Sequence, residues 1–172
     1  MNAVEVLSGI AIRQSARLTQ AALGSVDLLS WSRTVELAIA PAGAMDCLRR
    51  LGCLVDWWPG ARALRPLAPG LCGVGDVGLL DTVGGELVLR VLAFRPGRLV
   101  LVLAARRSLT VLDVGVRASA VGSALTLCLE RPPSGGPLAN HLAGRRLARL
   151  GERALAGLQA HLRERVDAND AA

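Results

Sequence analysis

Residues 138–166 read LANHLAGRRLARLGERALAGLQAHLRERV, and this stretch decides the fold. It has no proline and is rich in Ala, Leu and Arg. Leu147, Leu150, Ala154, Leu158 and Leu162 recur at steps of three and four, while Arg145, Arg149 and Arg153 form a second row four apart. The spacing predicts an amphipathic helix of about seven turns. Its apolar stripe needs a broad apolar surface to lie on. Between Thr34 and Arg131 the chain reads mostly as strands and turns, so that surface is a sheet.

Working back from the helix, 132–137 is a Pro/Ser/Gly connector. The segments 61–67, 74–82, 86–94, 98–105, 109–117 and 124–131 read as strands, with hairpin turns at Gly84-Gly85 and Pro96-Gly97. Residues 34–40 alternate, with Val35, Leu37 and Ile39 on one side, which predicts a half-buried strand. Pro41 stops that strand and suits the first turn of a helix. A helix or helix pair then covers 44–54, with Gly52 breaking it and Met45, Leu48, Leu51 and Val55 facing inward. The expected fold class is α+β: a curved antiparallel sheet of about seven strands around a long C-terminal helix, with two short helices after the first strand. The expected organisation is an N-terminal extension, read as helical, over 1–31, a domain over 32–168 and a disordered tail over 169–172.

The chain has 172 residues, enough for one domain with a substantial core. Hydrophobic residues make up 52%, but there is one Phe and no Tyr, so the core must be aliphatic. All twenty basic residues are Arg, which reads as the codon bias of a GC-rich, bacterial genome. The net charge of +6 raises nucleic-acid binding, but the arginines are scattered and lack interleaved aromatics for base stacking. No nucleic-acid partner is expected. Cys47, Cys53, Cys72 and Cys128 form no CxxC pair and have no histidine near them in sequence, so free buried thiols in a reducing cytoplasm are expected. His141 and His161 lie twenty residues apart, so neither metal nor other cofactor is expected. The run Gly73-Val-Gly-Asp-Val-Gly78 matches GxGxxG, but a proline-rich loop precedes it and a strand follows, which excludes a dinucleotide fold.

The order of elements and their punctuation resembles the helix-grip domains of the START-like, or SRPBCC, superfamily, which includes polyketide cyclases and dehydrases. The resemblance rests on Ala40-Pro41 after the first strand, Asp56-Trp57-Trp58-Pro59-Gly60 after the short helices and Gly73-Val74-Gly75 opening the third strand. It also rests on VLAFRPGRLV over 91–100, Gly122-Ser123 before the last strand, and Leu155, Leu158 and Leu162 near the end. It implies a deep pocket between the long helix and the concave face of the sheet. Members hold lipids, quinones, hormones or polyketide intermediates there, and some act on them.

Strand parity, counted from the turns, assigns the lining. Leu89, Val91, Val102, Ala104, Thr110, Leu112, Val114 and Leu127 come from the sheet, and Leu147, Leu150 and Ala154 from the helix. Trp58, Arg65, Arg106, Asn140 and His141 are expected toward the mouth. In the aromatase/cyclase branch the positions matching Leu89, Val91 and Ala104 look polar or basic; here they are aliphatic, so no catalytic residue is assigned. A one-residue slip would turn Arg90 inward instead. The leading expectation is binding of a hydrophobic small molecule. An active polyketide cyclase or aromatase, a lipid or quinone carrier, and a partner-binding protein with a closed cavity stay open beside it. Arg145, Arg149 and Arg153 would dock an acyl carrier protein or an anionic membrane. Leu99, Leu101 and Leu103 take the outward parity, a row that the N-terminal segment or a second copy in a homodimer would cover.

Overall fold

The computed structural model describes residues 28–66, 73–105, 108–133 and 135–170. Strand β1 (Leu29–Leu37) leads to helix α1 (Pro41–Leu48), a 3-10 turn (Leu51–Cys53) and the short helix α2 (Leu54–Trp57). Six strands follow: β2 (Ala61–Pro66), β3 (Val77–Thr82), β4 (Gly85–Arg95), β5 (Arg98–Ala105), β6 (Ser108–Ser119) and β7 (Gly122–Arg131). The chain then enters helix α3 (Pro137–Asp170), 34 residues long. The strands form one curved antiparallel sheet in the order β1-β7-β6-β5-β4-β3-β2. From β2 to β7 each strand pairs with the next, and β1 closes the far edge beside β7. The α1–α2 segment therefore carries the chain from one edge of the sheet to the other.

Local chemistry explains the boundaries. Pro41 occupies the first turn of α1, and α1 ends at Leu48, ahead of Gly52, which sits inside the 3-10 turn. The run Gly73–Gly78 opens with a turn over 73–76, in which the Gly73 amide donates to the Asp76 carboxylate (2.6 Å) and Gly75 has φ +95°. It leads directly into β3, so the dinucleotide reading is excluded as expected. The extension expected over 1–31 and the tail over 169–172 fall mostly outside the described residues; within them, β1 begins at Leu29 and α3 reaches Asp170.

The core lies between the sheet and α3. Leu147, Ala154, Leu155, Leu158 and Leu162 pack with Leu89, Val91, Leu112, Val114, Leu125, Leu127 and Leu129, and α1, α2 and both Trp57 and Trp58 close the same cluster. Two glycines set how closely the helix approaches. A Cβ on Gly151 would overlap the Trp31 ring of β1, and one on Gly157 would overlap the Trp57 carbonyl of α2. Glycine is unfavourable in a helix interior by about 1 kcal/mol relative to alanine, so here close packing outweighs propensity. Arg33 on β1 adds an exposed ion pair to Glu152 of α3 (2.7 Å), a contact worth at most about 1 kcal/mol.

One expectation about the sheet is corrected. A plain two-residue hairpin through Pro96-Gly97 would pair Val91 with Val102 and Leu89 with Ala104, turning all four toward the helix. The turn does pair Arg95 with Arg98, but the register shifts between Val91 and Ala93, so Val91 faces Leu101 and Leu89 faces Leu103. Leu92 is the extra residue of this β-bulge and stands 38% exposed. Directly paired residues share a face, so Leu99, Leu101 and Leu103 join the main core. Val102 and Ala104 instead join Val88 and Leu109 in a smaller buried cluster, with Val77, Leu79 and Val111 packed against it. The outward leucine row does not exist, which removes the reason that β5 offered for a homodimer or an N-terminal cover.

Two consequences are measurable. Gly157→Ala is expected to lower the melting temperature by several degrees, because overpacking costs about 1–3 kcal/mol. Gly144→Ala, where a Cβ meets nothing within 4 Å, is expected to leave it unchanged or raise it; equal effects would contradict the packing account. In urea unfolding, Leu101→Ala should cost about 2–5 kcal/mol and Leu92→Ala less than about 1 kcal/mol; the bulge-free register, which would pair Leu92 with Leu101 on one face, instead makes the two costs alike.

Candidate functional site

The structure gathers many of the expected lining residues in one place. Trp58, Leu89, Val91, Leu112, Val114, Leu127, Leu147 and Ala154 are buried in the main cluster, and Leu150 packs at its margin. Thr110, half-buried, opposes Leu103 and so shares the helix-facing side of the sheet. On β4 the question posed by the sequence is answered for Val91, which is 1% exposed, while Arg90 opposes Val102 on the other face.

Other expected residues lie elsewhere. Val102 and Ala104 are on the far face, as described. Arg65 opposes Leu79 on that same far face and pairs with Glu86 at an exposed position, so it does not guard the mouth of a helix-side pocket. Asn140 and His141 sit in the first turns of α3, where Asn140 Nδ2 donates to the Gly135 carbonyl (3.0 Å) and His141 is exposed. Arg106 lies outside the described residues. Trp57 and Trp58 are core residues in edge-to-face contact, with ring centroids 6.0 Å apart.

A hollow of about 480 Å³ opens beside the C-terminal third of α3. Its walls are Glu36, Leu37, Ala38 and Ile39 at the end of β1, Val121 in the β6–β7 turn, and Leu162 and Arg163 of α3. Leu37 and Leu162 belong to the main core, so the floor of the hollow is the edge of the space between helix and sheet. Among the described residues its lining is mainly aliphatic, with one carboxylate and one guanidinium. The turn that supplies Val121 depends on Gly122, at φ +139°, where a Cβ would lie 2.6 Å from the Leu37 carbonyl oxygen. Next to it, Ser123 opposes Leu37 and is fully buried, and its Oγ makes no hydrogen bond. A buried hydroxyl of this kind can meet a polar atom of a guest. Sequence reasoning missed this site because three remote segments build it. The signals were faint: a strand interrupted at Ala40-Pro41, and Val121 exposed in a turn.

A second grouping also escaped the sequence. Cys47 of α1, Cys53 of the 3-10 turn and His161 of α3 bring Sγ, Sγ and a ring nitrogen within 4.8 Å of one another. Burial, and then the neighbouring Cys53, push the Cys47 thiol up to about 12. Burial likewise raises Cys128, on β7. Arg145, Arg149 and Arg153 are all exposed on α3. Among the described residues, no helix is long and apolar enough to cross a membrane.

No family model and no curated protein matches this sequence. Solved structures do match. A START superfamily protein from Mycobacterium smegmatis superposes with a TM-score of 0.61 at 18% identity, over 78% of this chain and 97% of that one. The KanY protein gives 0.62 at 17% identity, over 80% and 99%. The di-domain ARO/CYC StfQ of the steffimycin biosynthetic pathway gives 0.63 at 14% identity, over 81% of this chain and 52% of that one. With the seven-stranded curved sheet, the short helices after β1 and the long C-terminal helix, these likenesses give this chain the START-like, SRPBCC helix-grip fold.

Proposed function

We propose that this protein binds a hydrophobic small molecule of the polyketide, lipid or quinone class in the space between α3 and the sheet, entered through the hollow at Leu37, Ile39, Val121 and Leu162. The observation that carries the reading is the hollow itself, about 480 Å³ of mainly aliphatic lining whose floor is the edge of the core. That volume is in the range of small-molecule sites, about 300–1,000 Å³. Burying apolar ligand surface there is favourable by roughly 25 cal/mol per Å². Ser123 Oγ, Glu36 and Arg163 would orient the polar end of the guest. A carboxylate or phosphate on it would pair with Arg163.

Carriage is favoured over chemistry. The β4 and β5 residues of the main cluster are Leu87, Leu89, Val91, Phe94, Leu99, Leu101 and Leu103, all hydrocarbon, and none can act as acid, base or oxyanion donor. The likeness to the ARO/CYC protein keeps cyclisation as the second reading. Its acid–base groups would have to come from the rim of the hollow. The exposed row Arg145, Arg149 and Arg153 suits an anionic docking surface, with an acyl carrier protein expected for a tethered polyketide and an anionic membrane for a lipid.

Native mass spectrometry of protein expressed in its own host is expected to show a co-purified apolar adduct. Ile39→Trp, which fills the hollow, should lose the adduct while keeping the wild-type melting temperature, and Ser123→Ala should weaken retention several-fold. A chain that carries no adduct and shows no saturable binding of an apolar fluorescent probe would contradict the proposal. Arg149→Glu with Arg153→Glu should weaken binding to carrier protein or to anionic vesicles; unchanged binding to both would mark the row as a solvated face.

A further inference from the structure

The side chains of Cys47, Cys53 and His161 stand on three different helical elements, yet their donor atoms lie within 4.8 Å of one another. All three are buried: Cys47 is 4% exposed, Cys53 5%, and the His161 side chain 10%. The imidazole is asymmetric in its surroundings. Nδ1 lies 3.8 Å from an Asp56 carboxylate oxygen, while Nε2 is buried with no hydrogen-bond partner. An orphaned ring nitrogen beside two thiols is an unexplained cost in an aliphatic core. Two sulfurs, one imidazole nitrogen and a carboxylate behind the imidazole form the donor set that a zinc ion takes.

We propose that Cys47, Cys53 and His161 form a zinc site, separate from the ligand hollow, that fastens α1 and the 3-10 turn to the C-terminal third of α3. Asp56, 3.8 Å from Nδ1, is placed to close on that nitrogen when the ion binds and leaves His161 Nε2 as the ligand atom, which is the usual outer-shell arrangement for a zinc-bound histidine. The two thiols lose their protons to solvent when the ion binds, so two thiolates balance its charge. Arg165, whose Nη2 lies 3.6 Å from Cys53 Sγ, donates to that thiolate. Tetrahedral zinc with sulfur ligands brings its donors to about 3.5–3.8 Å from one another, so side-chain rotations of the order of 1 Å close the site. The fourth position is left to water. Spacing along the chain conceals this arrangement, since His161 is far from both cysteines in sequence and only the fold unites them.

The test uses the full chain in a Cys72→Ser, Cys128→Ser background, so that Cys47 and Cys53 are the only thiols, with folding checked by circular dichroism. Cobalt(II) added to the reduced protein is expected to give sulfur-to-cobalt charge-transfer absorption that saturates at one ion per chain and disappears on adding zinc. Cys53→Ser should abolish that absorption. His161→Gln and Asp56→Asn should each weaken zinc at least tenfold in competition with a chromophoric chelator, and His141→Gln should not. In the otherwise wild-type chain, zinc should protect two thiols from alkylation. The proposal is overturned if the folded, reduced background protein gives no cobalt–thiolate absorption, or if zinc binding survives both Cys53→Ser and His161→Gln. A Cys47–Cys53 disulfide in the isolated protein, with no cobalt spectrum after full reduction, would overturn it in favour of a redox pair. These readouts are independent of any apolar ligand, so they fail or succeed apart from the carrier reading.

Discussion

Everything in this molecule depends on one contact: the aliphatic stripe of α3 lying on the concave side of the sheet. Leu147, Ala154, Leu155, Leu158 and Leu162 meet inward leucines and valines from the strands. The chain supplies few large side chains, so close approach must replace bulk. Gly151 and Gly157 permit it, letting Trp31 and the Trp57 backbone sit where a Cβ would stand. The same approach fixes where space can remain. From Leu147 to Leu162 α3 packs on the core, and a hollow opens beside the end of that stretch, where β1 ends and the β6–β7 turn begins.

That geometry links the fold to its proposed use. An aliphatic site favours apolar surface without discriminating strongly among guests, since a methylene is worth only about 1 kcal/mol. Selectivity must come from the few polar groups at its edge. Among the described residues, Glu36 and Arg163 bring opposite charges to the lining, and Ser123 lies buried and unpaired behind it, opposite Leu37. Of the elements that bound the hollow, α3 also carries His161, while Cys47 and Cys53 stand on α1 and the 3-10 turn, so an ion held by the three would stiffen the wall formed by α3 without touching the ligand.

Much of the fold could be read from the residues, and the reasons are physical. The helix over 138–166 announces itself by spacing, and the hairpins by Gly-Gly and Pro-Gly. The helix-facing side of β6 and β7 was legible because Leu112, Val114, Leu125, Leu127 and Leu129 alternate with polar or small residues such as Asp113, Gly115 and Thr126. Strand β5 was not legible. Leu99 to Ala105 is apolar throughout because both of its faces are buried, so alternation carries no parity. The bulge at Leu92 lies in an equally apolar run and leaves no sequence mark. The hollow and the cysteine–histidine grouping were invisible for a related reason. Each is assembled from segments far apart along the chain, and neither has a local motif.

The central claim is that an apolar guest enters between α3 and the end of β1. Methyl-resolved NMR of Ile, Leu and Val side chains during titration with a medium-chain fatty acid tests it most directly. The account predicts saturable shifts at Ile39, Leu37, Val121 and Leu162. Shifts confined to Val77, Leu79 and Val111 on the far face of the sheet, or no saturable shift at all, would contradict it.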